Sequence, residues 1–276
     1  MDIWKRWSAI DARPNIAIPT SDDDKYSRGV LGVIAGSPEY PGAAILTTSA
    51  ALQTGLGLLR YVGPPEVNGY VLTCNPEIVL GAGRVDAWII GPGIPAENIS
   101  PIQATEIESA ISEGYPICLD AGALAYVDKV SSPTIITPHY RELEALLLKK
   151  GIAVTYEEIR TKPKYWAKSA ASEFGVTVLL KGNVSVVASL ENQIELPVST
   201  PWLATAGTGD VLAGIIGTLL ATNSESILNR RIDLTSIAAT GSFIHHRAAE
   251  FAILKGPIKA SDVIDNISRA ISDILI

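Results

Sequence analysis

Short apolar segments with strand character alternate with helical patterns along this chain from Val30 onward. The first unit reads VLGVIAG at residues 30–36, and a small-residue helical stretch at residues 42–54 separates it from the strand-like LLRYV at residues 58–62. Two parallel strands need a crossover connection between them, and that connection is usually a helix. The alternation therefore predicts one α/β domain with a mostly parallel sheet and helices on both faces.

Three later helices are predicted from their caps and their periodicity. Thr155 and Glu158 have the spacing of a capping box, which predicts one helix continuing to Phe174. Residues 232–251 and 261–276 each show an amphipathic pattern, which predicts two further helices that cover the sheet.

The charge and composition exclude two broad classes of partner. The chain has 276 residues and a net charge of -7, so it lacks the basic footprint that nucleic-acid binding requires. The longest apolar run, residues 211–221, is too short to cross a bilayer, which argues against a membrane partner. Cys74 and Cys118 lack the spacing of a zinc site or a disulfide framework, which predicts reduced thiols and a cytoplasmic location.

A glycine-rich turn leads into a helix at LATAGTGDVLAG, residues 203–214. Gly207 and Gly209 leave the backbone free to direct its N–H groups at a ligand, and apolar residues at helical spacing follow from Val211. A helix N-terminus stabilises phosphate oxygens or a developing negative charge. Asp210 beside it is expected to remain ionised, either as a base near a phosphate or only as a charge that complements the helix dipole.

This segment resembles the anion-hole signature of the ribokinase-like superfamily, in the branch formed by the ADP/ATP-dependent NAD(P)H-hydrate dehydratases. Four further segments resemble signatures of that branch in the same order: GSPEYPGA at residues 36–43, GPG at 91–93, TPHYRE at 137–142 and KGNVS at 181–185. The resemblance extends from Lys25 to the final helices. It implies a ribokinase-like three-layer fold in which residues 1–276 form a single domain. No epimerase domain is recognised, so epimerisation is expected to belong to another protein.

The resemblance also implies roles for individual residues. Asp210 would be the catalytic residue, and Glu142 would hold Mg²⁺ through water, since magnesium keeps several of its waters. The implied substrate-binding residues are Ala43, Gly93, His139 and Asp210. The implied nucleotide-binding residues are Lys181, Gly182, Asn183, Val184, Ser185 and Gly209, and the implied anion hole consists of Ala206, Gly207, Thr208 and Gly209.

Four polar side chains could also have purely structural roles. His139 is equally compatible with a histidine that stabilises a turn, and Glu142 with an acid in the first turn of a helix. His245 and His246 are adjacent on a predicted helix, so their side chains point about 100° apart and cannot form one ligand face. We therefore predict structural roles for both of these later histidines.

Three residues depart from the pattern of the resembled family. Ala35 stands where a glycine is usual, and Gly122 in DAGAL stands where the family usually has a second aspartate. Trp202 lies just before the anion hole, where an asparagine-rich stretch is usual, and we expect it to alter the mouth of the substrate site.

The resemblance implies a repair reaction on the hydrated, damaged form of reduced nicotinamide dinucleotides. ADP or ATP would phosphorylate the hydroxyl of the S form of hydrated NADH or NADPH, and elimination of phosphate would restore the dinucleotide. Two rival functions remain open at this point: a ribokinase-like kinase for a vitamin-precursor alcohol, and a nucleotide-binding sensor without catalysis. The resemblance further implies Mg²⁺ as a cofactor and a homotetramer.

Overall fold

The computed structural model describes residues 4–97, 99–254 and 256–276. The strands of this described part are β1 Lys5–Arg6, β2 Val30–Ile34, β3 Leu58–Tyr61, β4 Val79–Leu80, β5 Ala87–Ile90, β6 Ile117–Leu119, β7 Thr134–Ile136, β8 Thr177–Leu180, β9 Val186–Ala188 and β10 Gln193–Glu195. They form one sheet in the order β1-β10-β9-β8-β7-β6-β5-β2-β3-β4. All neighbouring strands are parallel except the pairs made by β9, which runs antiparallel to β8 and β10.

Helices cover both faces of this sheet. The α-helices of the described residues are α1 Ala9–Ala12, α2 Pro41–Gln53, α3 Pro65–Cys74, α4 Pro101–Ser112, α5 Tyr140–Lys149, α6 Tyr156–Thr161, α7 Pro163–Phe174, α8 Thr208–Thr222, α9 Ser224–Leu228, α10 Leu234–Ile253, α11 Ala260–Ile264 and α12 Ile267–Leu275. One apolar core contains side chains of α2, α8 and α10, and the other contains side chains of α4, α5 and α7. Alternate residues of β2 enter opposite cores, as a pleated strand requires. The predicted three-layer α/β architecture is therefore confirmed.

Five of the motif-bearing turns follow neighbouring parallel strands. Lys181 follows β8, the turn containing His139 follows β7, Asp120 follows β6, Gly91 follows β5 and Ala35 follows β2. Parallel strands place their carboxyl ends at one edge of the sheet, which is where open α/β sheets bind ligands. The order of the strands thus brings segments that are distant in sequence to one edge.

Helix α8 lies unusually close to its neighbours because it has glycine where they contact it. A Cβ at Gly214 would lie 2.3 Å from the Thr47 carbonyl oxygen of α2, and one at Gly217 would lie 2.3 Å from Ile89 Cγ1 of β5. Neither contact could accommodate a side chain, since packed interiors leave almost no free volume. These glycines set the position of the N-terminus of α8 relative to the sheet edge. In the described part of the chain, no helix is long and apolar enough to span a membrane.

Two of the predicted helices are each divided into two in the structure. The capping box at Thr155 is present, but α6 ends before Lys162, because proline at 163 disfavours helical backbone at the preceding residue. The predicted helix over 261–276 is divided at Asn266. Its side-chain amide donates to the Asp262 carbonyl oxygen at 2.8 Å, in place of the backbone N–H that would continue the helix.

Candidate active site

The turn before α8 adopts the backbone conformation expected from its glycines. Gly207 is the N-cap residue and has a φ of 90°, which residues with a Cβ rarely adopt. The Thr208 hydroxyl lies 2.8 Å from the carbonyl oxygen of Leu203 and 2.9 Å from that of Thr205, so it fixes the turn to the preceding loop. The Thr208 backbone N–H donates to the Thr205 carbonyl oxygen at 3.4 Å, whereas the amides of Gly209 and Asp210 in the first turn of α8 have no acceptor within the helix and can bind an anion.

A lysine ammonium group lies directly beside this turn. A Cβ at Gly209 would lie 3.6 Å from Lys181 Nζ. That Nζ lies 2.8 Å from Asp120 Oδ1 and 3.8 Å from Glu142 Oε2. Burial alone would lower the pKa of Lys181, but the two carboxylates outweigh this effect and raise the pKa, so the group remains cationic. A fixed positive charge therefore accompanies the amides at the helix start.

Asp120 connects three of the converging turns, although it was not among the predicted site residues. Its side chain is buried and accepts a hydrogen bond from Thr137 Oγ1 at 2.7 Å in addition to the bond from Lys181. The backbone of Gly91 packs against it so closely that a Cβ at Gly91 would lie 1.8 Å from the Asp120 carbonyl oxygen. The available signal was its position directly after β6, at the carboxyl end of a parallel strand.

The ionisation of Asp210 differs from the sequence expectation. The pKa of Asp210 is raised to about 7, chiefly by burial and also by the charge of Asp120, against an opposing effect of the Lys181 charge. The prediction that the helix dipole keeps this carboxylate fully ionised is therefore wrong, because desolvation and a like charge outweigh the dipole. A pKa near neutrality suits a group that accepts a proton at neutral pH and later releases it.

His139 and Glu142 form a reciprocal capping box at the start of α5. His139 Nδ1 accepts from the Glu142 backbone N–H at 3.1 Å, and Glu142 Oε2 accepts from the His139 backbone N–H at 2.7 Å. The structural role that the sequence left open thus holds for both residues. The capping role also orients them, because Nδ1 is engaged as an acceptor and the neutral ring must carry its proton on Nε2. The His139 side chain is 54% exposed, which leaves the Nε2–H group free of the capping interaction.

The residues around Glu142 fit magnesium held mainly by water and phosphate. Among the described residues, no group of three or more His, Cys, Asp or Glu side chains is placed to hold a metal ion. Magnesium commonly uses one or two carboxylates with waters and substrate phosphates, so Glu142 alone would supply a sufficient protein ligand. Glu142 still has a second oxygen, Oε1, beyond the one used in the capping box.

A cavity of about 700 Å³ opens beside the start of α8, a volume suited to a nucleotide. Its lining consists of His139, Lys181, Gly182, Asn183, Ser185, Ser199, Thr200, Pro201, Leu203, Ala204, Thr205, Ala206, Thr208, Gly209, Leu212, His245 and His246. Most of the predicted nucleotide and anion-hole residues are thus brought together with His139. Six predicted site residues lie outside this described lining: Ala43, Gly93, Glu142, Val184, Gly207 and Asp210.

The loop at residues 181–185 is braced by its own hydrogen bonds. It connects the antiparallel strands β8 and β9, and the buried Ser185 hydroxyl lies 3.3 Å from the Gly182 carbonyl oxygen. The Asn183 carbonyl oxygen accepts from the Ser199 backbone N–H at 2.9 Å. This bracing leaves little freedom in the loop that forms one wall of the cavity.

Ala43 and Gly93 lie against each other where the GPG turn meets the start of α2. A Cβ at Gly93 would lie 2.4 Å from Ala43 Cβ, and Gly93 has a φ of 68°. The turn is further fixed by a 2.7 Å hydrogen bond from the Gly36 backbone N–H to the Pro92 carbonyl oxygen. The two predicted residues therefore pack against each other where two of the family-like segments meet.

The two later departures from the family pattern have different structural settings. A Cβ at Gly122 would lie 2.4 Å from the Ile94 carbonyl oxygen, so this backbone has no room for the aspartate that the pattern would place there. Trp202 is half exposed in the short 3₁₀ turn Pro201–Leu203, whose outer residues line the cavity. Trp202 is therefore placed near the mouth of the cavity and outside its lining.

Fold and site together define a ribokinase-like protein, with a helix that starts from a glycine N-cap at the carboxyl edge of a mostly parallel sheet. The sequence model of the NAD(P)H-hydrate dehydratase family matches residues 31–271. The chain belongs to this family, in agreement with its motifs.

Individual relatives agree with this assignment. The bifunctional NAD(P)H-hydrate repair enzyme Nnr of Mycobacterium leprae is 36% identical over 280 residues, which cover 96% of this chain and 54% of that protein. The ADP-dependent (S)-NAD(P)H-hydrate dehydratase of Xanthomonas campestris is 30% identical over 267 residues, covering 88% of this chain and 86% of that protein. The chain thus spans about half the length of its bifunctional relatives.

A solved structure is similar over almost the whole chain. It is the ADP/ATP-dependent NAD(P)H-hydrate dehydratase from Bacillus subtilis, co-crystallized with ATP/Mg²⁺. The TM-score is 0.85 at 25% sequence identity, with 98% of this chain and 99% of that chain covered. The ribokinase-like fold predicted from the sequence is therefore confirmed.

Proposed function

We propose that this chain catalyses the ADP- or ATP-dependent dehydration of the S form of hydrated NADH or NADPH. One observation carries the proposal: Lys181, the amides at the start of α8 and Asp210 meet beside a cavity of nucleotide size. The relatives whose names specify this reaction supply the substrate class, since a cavity alone does not define one. The same names specify ADP or ATP as the co-substrate, and we adopt this for the proposal.

In the first step, the hydroxyl oxygen of the hydrated ring attacks the terminal phosphorus of the nucleotide. The bond from that phosphorus to the nucleotide breaks, and the carboxylate of Asp210 accepts the hydroxyl proton. The amides of residues 206–209 and the Lys181 ammonium stabilise the charge on the transferring group, as preorganised donors do in phosphoryl transfer. Mg²⁺, when held through water by Glu142, would neutralise nucleotide phosphate charge.

In the second step, the phosphorylated oxygen leaves with the phosphate. Hydroxide is a poor leaving group at neutral pH, whereas phosphate departs readily when the ring nitrogen supplies its lone pair. Loss of a proton from the adjacent ring carbon then restores the dihydronicotinamide. We propose that Ala43, Gly93 and His139 position the ring, with the exposed Nε2–H of His139 as a donor.

Product analysis tests the proposal against its rivals. The purified chain is incubated with hydrated NADH, ADP and Mg²⁺, and the absorbance of reduced nicotinamide and the free phosphate are followed together. Equal recovery of both is expected. A stable phosphorylated product would instead indicate a small-molecule kinase, and the absence of nucleotide turnover with any substrate would indicate a sensor.

We also propose a cytoplasmic homotetramer in which residues 1–276 act as one dehydratase domain. The free thiols of Cys74 and Cys118 support a reducing compartment. The tetramer follows from the family resemblance, and light scattering during size-exclusion chromatography tests it.

A further inference from the structure

The turn that follows β2 is held by two buried polar side chains from other elements of the fold. Tyr61 Oη donates to the Ala35 carbonyl oxygen at 2.8 Å, and Gln103 Nε2 donates to the Gly36 carbonyl oxygen at 3.1 Å. Tyr61 lies at the end of β3 and is 1% exposed, and Gln103 lies in the first turn of α4 and is 5% exposed. Two consecutive carbonyl groups are therefore fixed from two separate elements.

Burying these two polar groups costs free energy that an apolar side chain would not cost. A buried amide or hydroxyl is disfavoured unless it makes a hydrogen bond, and glutamine is mostly an exposed residue. The backbone also leaves room for the phenol group, since a Cβ at Gly63 would lie 2.1 Å from Tyr61 Oη. Buried polar groups with satisfied hydrogen bonds make the surrounding structure rigid. The two bonds therefore restrict the movement of the turn after β2.

This turn packs against the two residues that we propose to position the substrate ring. The Gly36 backbone N–H donates to the Pro92 carbonyl oxygen at 2.7 Å, which connects the turn to the GPG segment. A Cβ at Gly93 would lie 3.3 Å from Gly36 Cα and 2.4 Å from Ala43 Cβ. Because packed interiors leave almost no free volume, a shift of Gly36 would displace Gly93 and its contact with Ala43.

We propose that Tyr61 and Gln103 are positioning residues for the hydrated nicotinamide ring. They act through Gly36, which determines where Ala43 and Gly93 meet the ring, and they do not touch the substrate themselves. Their bonds involve neither the start of α8 nor the loop at residues 181–185, so ADP binding and phosphoryl transfer should not depend on them. A contact made equally in the ground and transition states changes KM and leaves kcat unaltered. The inference rests on the proposed function.

Steady-state kinetics of Tyr61→Phe and Gln103→Leu with hydrated NADH, ADP and Mg²⁺ tests this inference. Each substitution removes one donor and keeps most of the side-chain volume. The KM for hydrated NADH should rise about tenfold in each variant, while kcat and the KM for ADP stay within about twofold of wild type. Gln193→Leu is a matched control, because its Nε2 donates at 3.5 Å to the Ser189 carbonyl oxygen between β9 and β10. All three constants should be unchanged in that control.

The outcomes separate this inference from the proposed function. If wild type does not restore hydrated NADH, both are contradicted. If wild type is active and the KM for hydrated NADH stays within about twofold in either variant, the role of that residue is overturned and the proposed function stands. An equal rise in the KM for ADP would also overturn the positioning role, because it would indicate a general loss of structure.

Hydrogen exchange gives a second measurement that does not depend on turnover. In folded Gln103→Leu, checked by thermal melting, the Gly36 amide should exchange about tenfold faster than in wild type. The Trp88 amide is the internal reference, because it donates to the Pro116 carbonyl oxygen at 2.9 Å within the sheet. Unchanged exchange at Gly36, or equal acceleration at Trp88, would contradict the proposal.

Discussion

Replacing Lys181 by methionine removes the positive charge from the centre of the candidate site while nearly preserving side-chain volume. Asp120 is 4% exposed, and its Oδ1 lies 2.8 Å from Lys181 Nζ, so the substitution leaves a buried carboxylate with only the Thr137 hydroxyl as a side-chain donor. Breaking a fully buried ion pair costs about 3–5 kcal/mol. Because the Lys181 side chain retains 20% exposure, we expect a loss of about 2–4 kcal/mol in the free energy of unfolding.

Urea unfolding measures this loss, and a second substitution identifies its cause. In Lys181→Met/Asp120→Asn the uncompensated carboxylate is gone, so most of the lost stability should return. Lys129→Met serves as a matched control, because the Lys129–Glu108 ion pair is equally short but fully at the surface, and it should leave stability nearly unchanged. If the free energy of unfolding of Lys181→Met were within about 0.5 kcal/mol of the wild-type value, the reasoning would be refuted.

The same variant has a second readout that a purely structural lysine would not give. Lys181 lowers the pKa of Asp210, so removing it should raise that pKa further and move the rise in activity to higher pH. A pH–rate profile of the remaining activity that keeps its wild-type position would show that the two groups are not coupled.

Three further predictions concern the contacts of Gly209, Gly93 and Asp210. Gly209→Val should weaken ADP binding at least about tenfold by calorimetry, because its methyl groups extend towards Lys181 Nζ, whereas Gly209→Ala makes only an ordinary contact; equal affinities would contradict the anion hole. Gly93→Ala should cost about 1–3 kcal/mol in urea unfolding because of its positive φ and its contact with Ala43, while the control Gly42→Ala, with open space around its Cβ, should not. Burial raises the pKa of Asp210 from 3.8 to about 7, so ionisation opposes folding, and wild type should lose up to about 4 kcal/mol relative to Asp210→Asn as the pH rises through this range. If urea unfolding showed that the difference in free energy of unfolding between wild type and Asp210→Asn does not change with pH, the raised pKa of Asp210 would be contradicted.

Much of the fold could be predicted from the sequence because local signals and the global fold agree. Strand and helix periodicities predicted the parallel sheet, and the capping box at Thr155 and Glu158 is present in the structure. Proline at 163 was a readable signal for the break that follows α6. The division at Asn266 was harder to predict. The sequence does not reveal that the Asn266 side-chain amide donates to a backbone carbonyl oxygen of its own helix, that of Asp262.

The site was harder to predict because its decisive contacts join distant parts of the chain. Asp120 and Lys181 are separated by 61 residues and meet only because β6, β7 and β8 are neighbours in the sheet. The pKa of Asp210 depends on burial and on this same pair, neither of which is visible in the glycine motif. The absence of space at Gly122 likewise depends on a carbonyl of another turn. Sequence motifs identified the turns, and the tertiary structure determined their charges.

Single-turnover kinetics of Asp210→Asn on hydrated NADH with ADP and Mg²⁺ tests the central claim most directly. Asparagine keeps the size of the side chain and removes its capacity to accept the proton. The rate of dinucleotide recovery should fall by about 10² to 10⁴, with nucleotide and substrate affinities broadly retained and thermal melts showing a folded protein. A rate within about threefold of wild type would contradict the assignment of Asp210 as the base, since that corresponds to less than about 1 kcal/mol in the barrier.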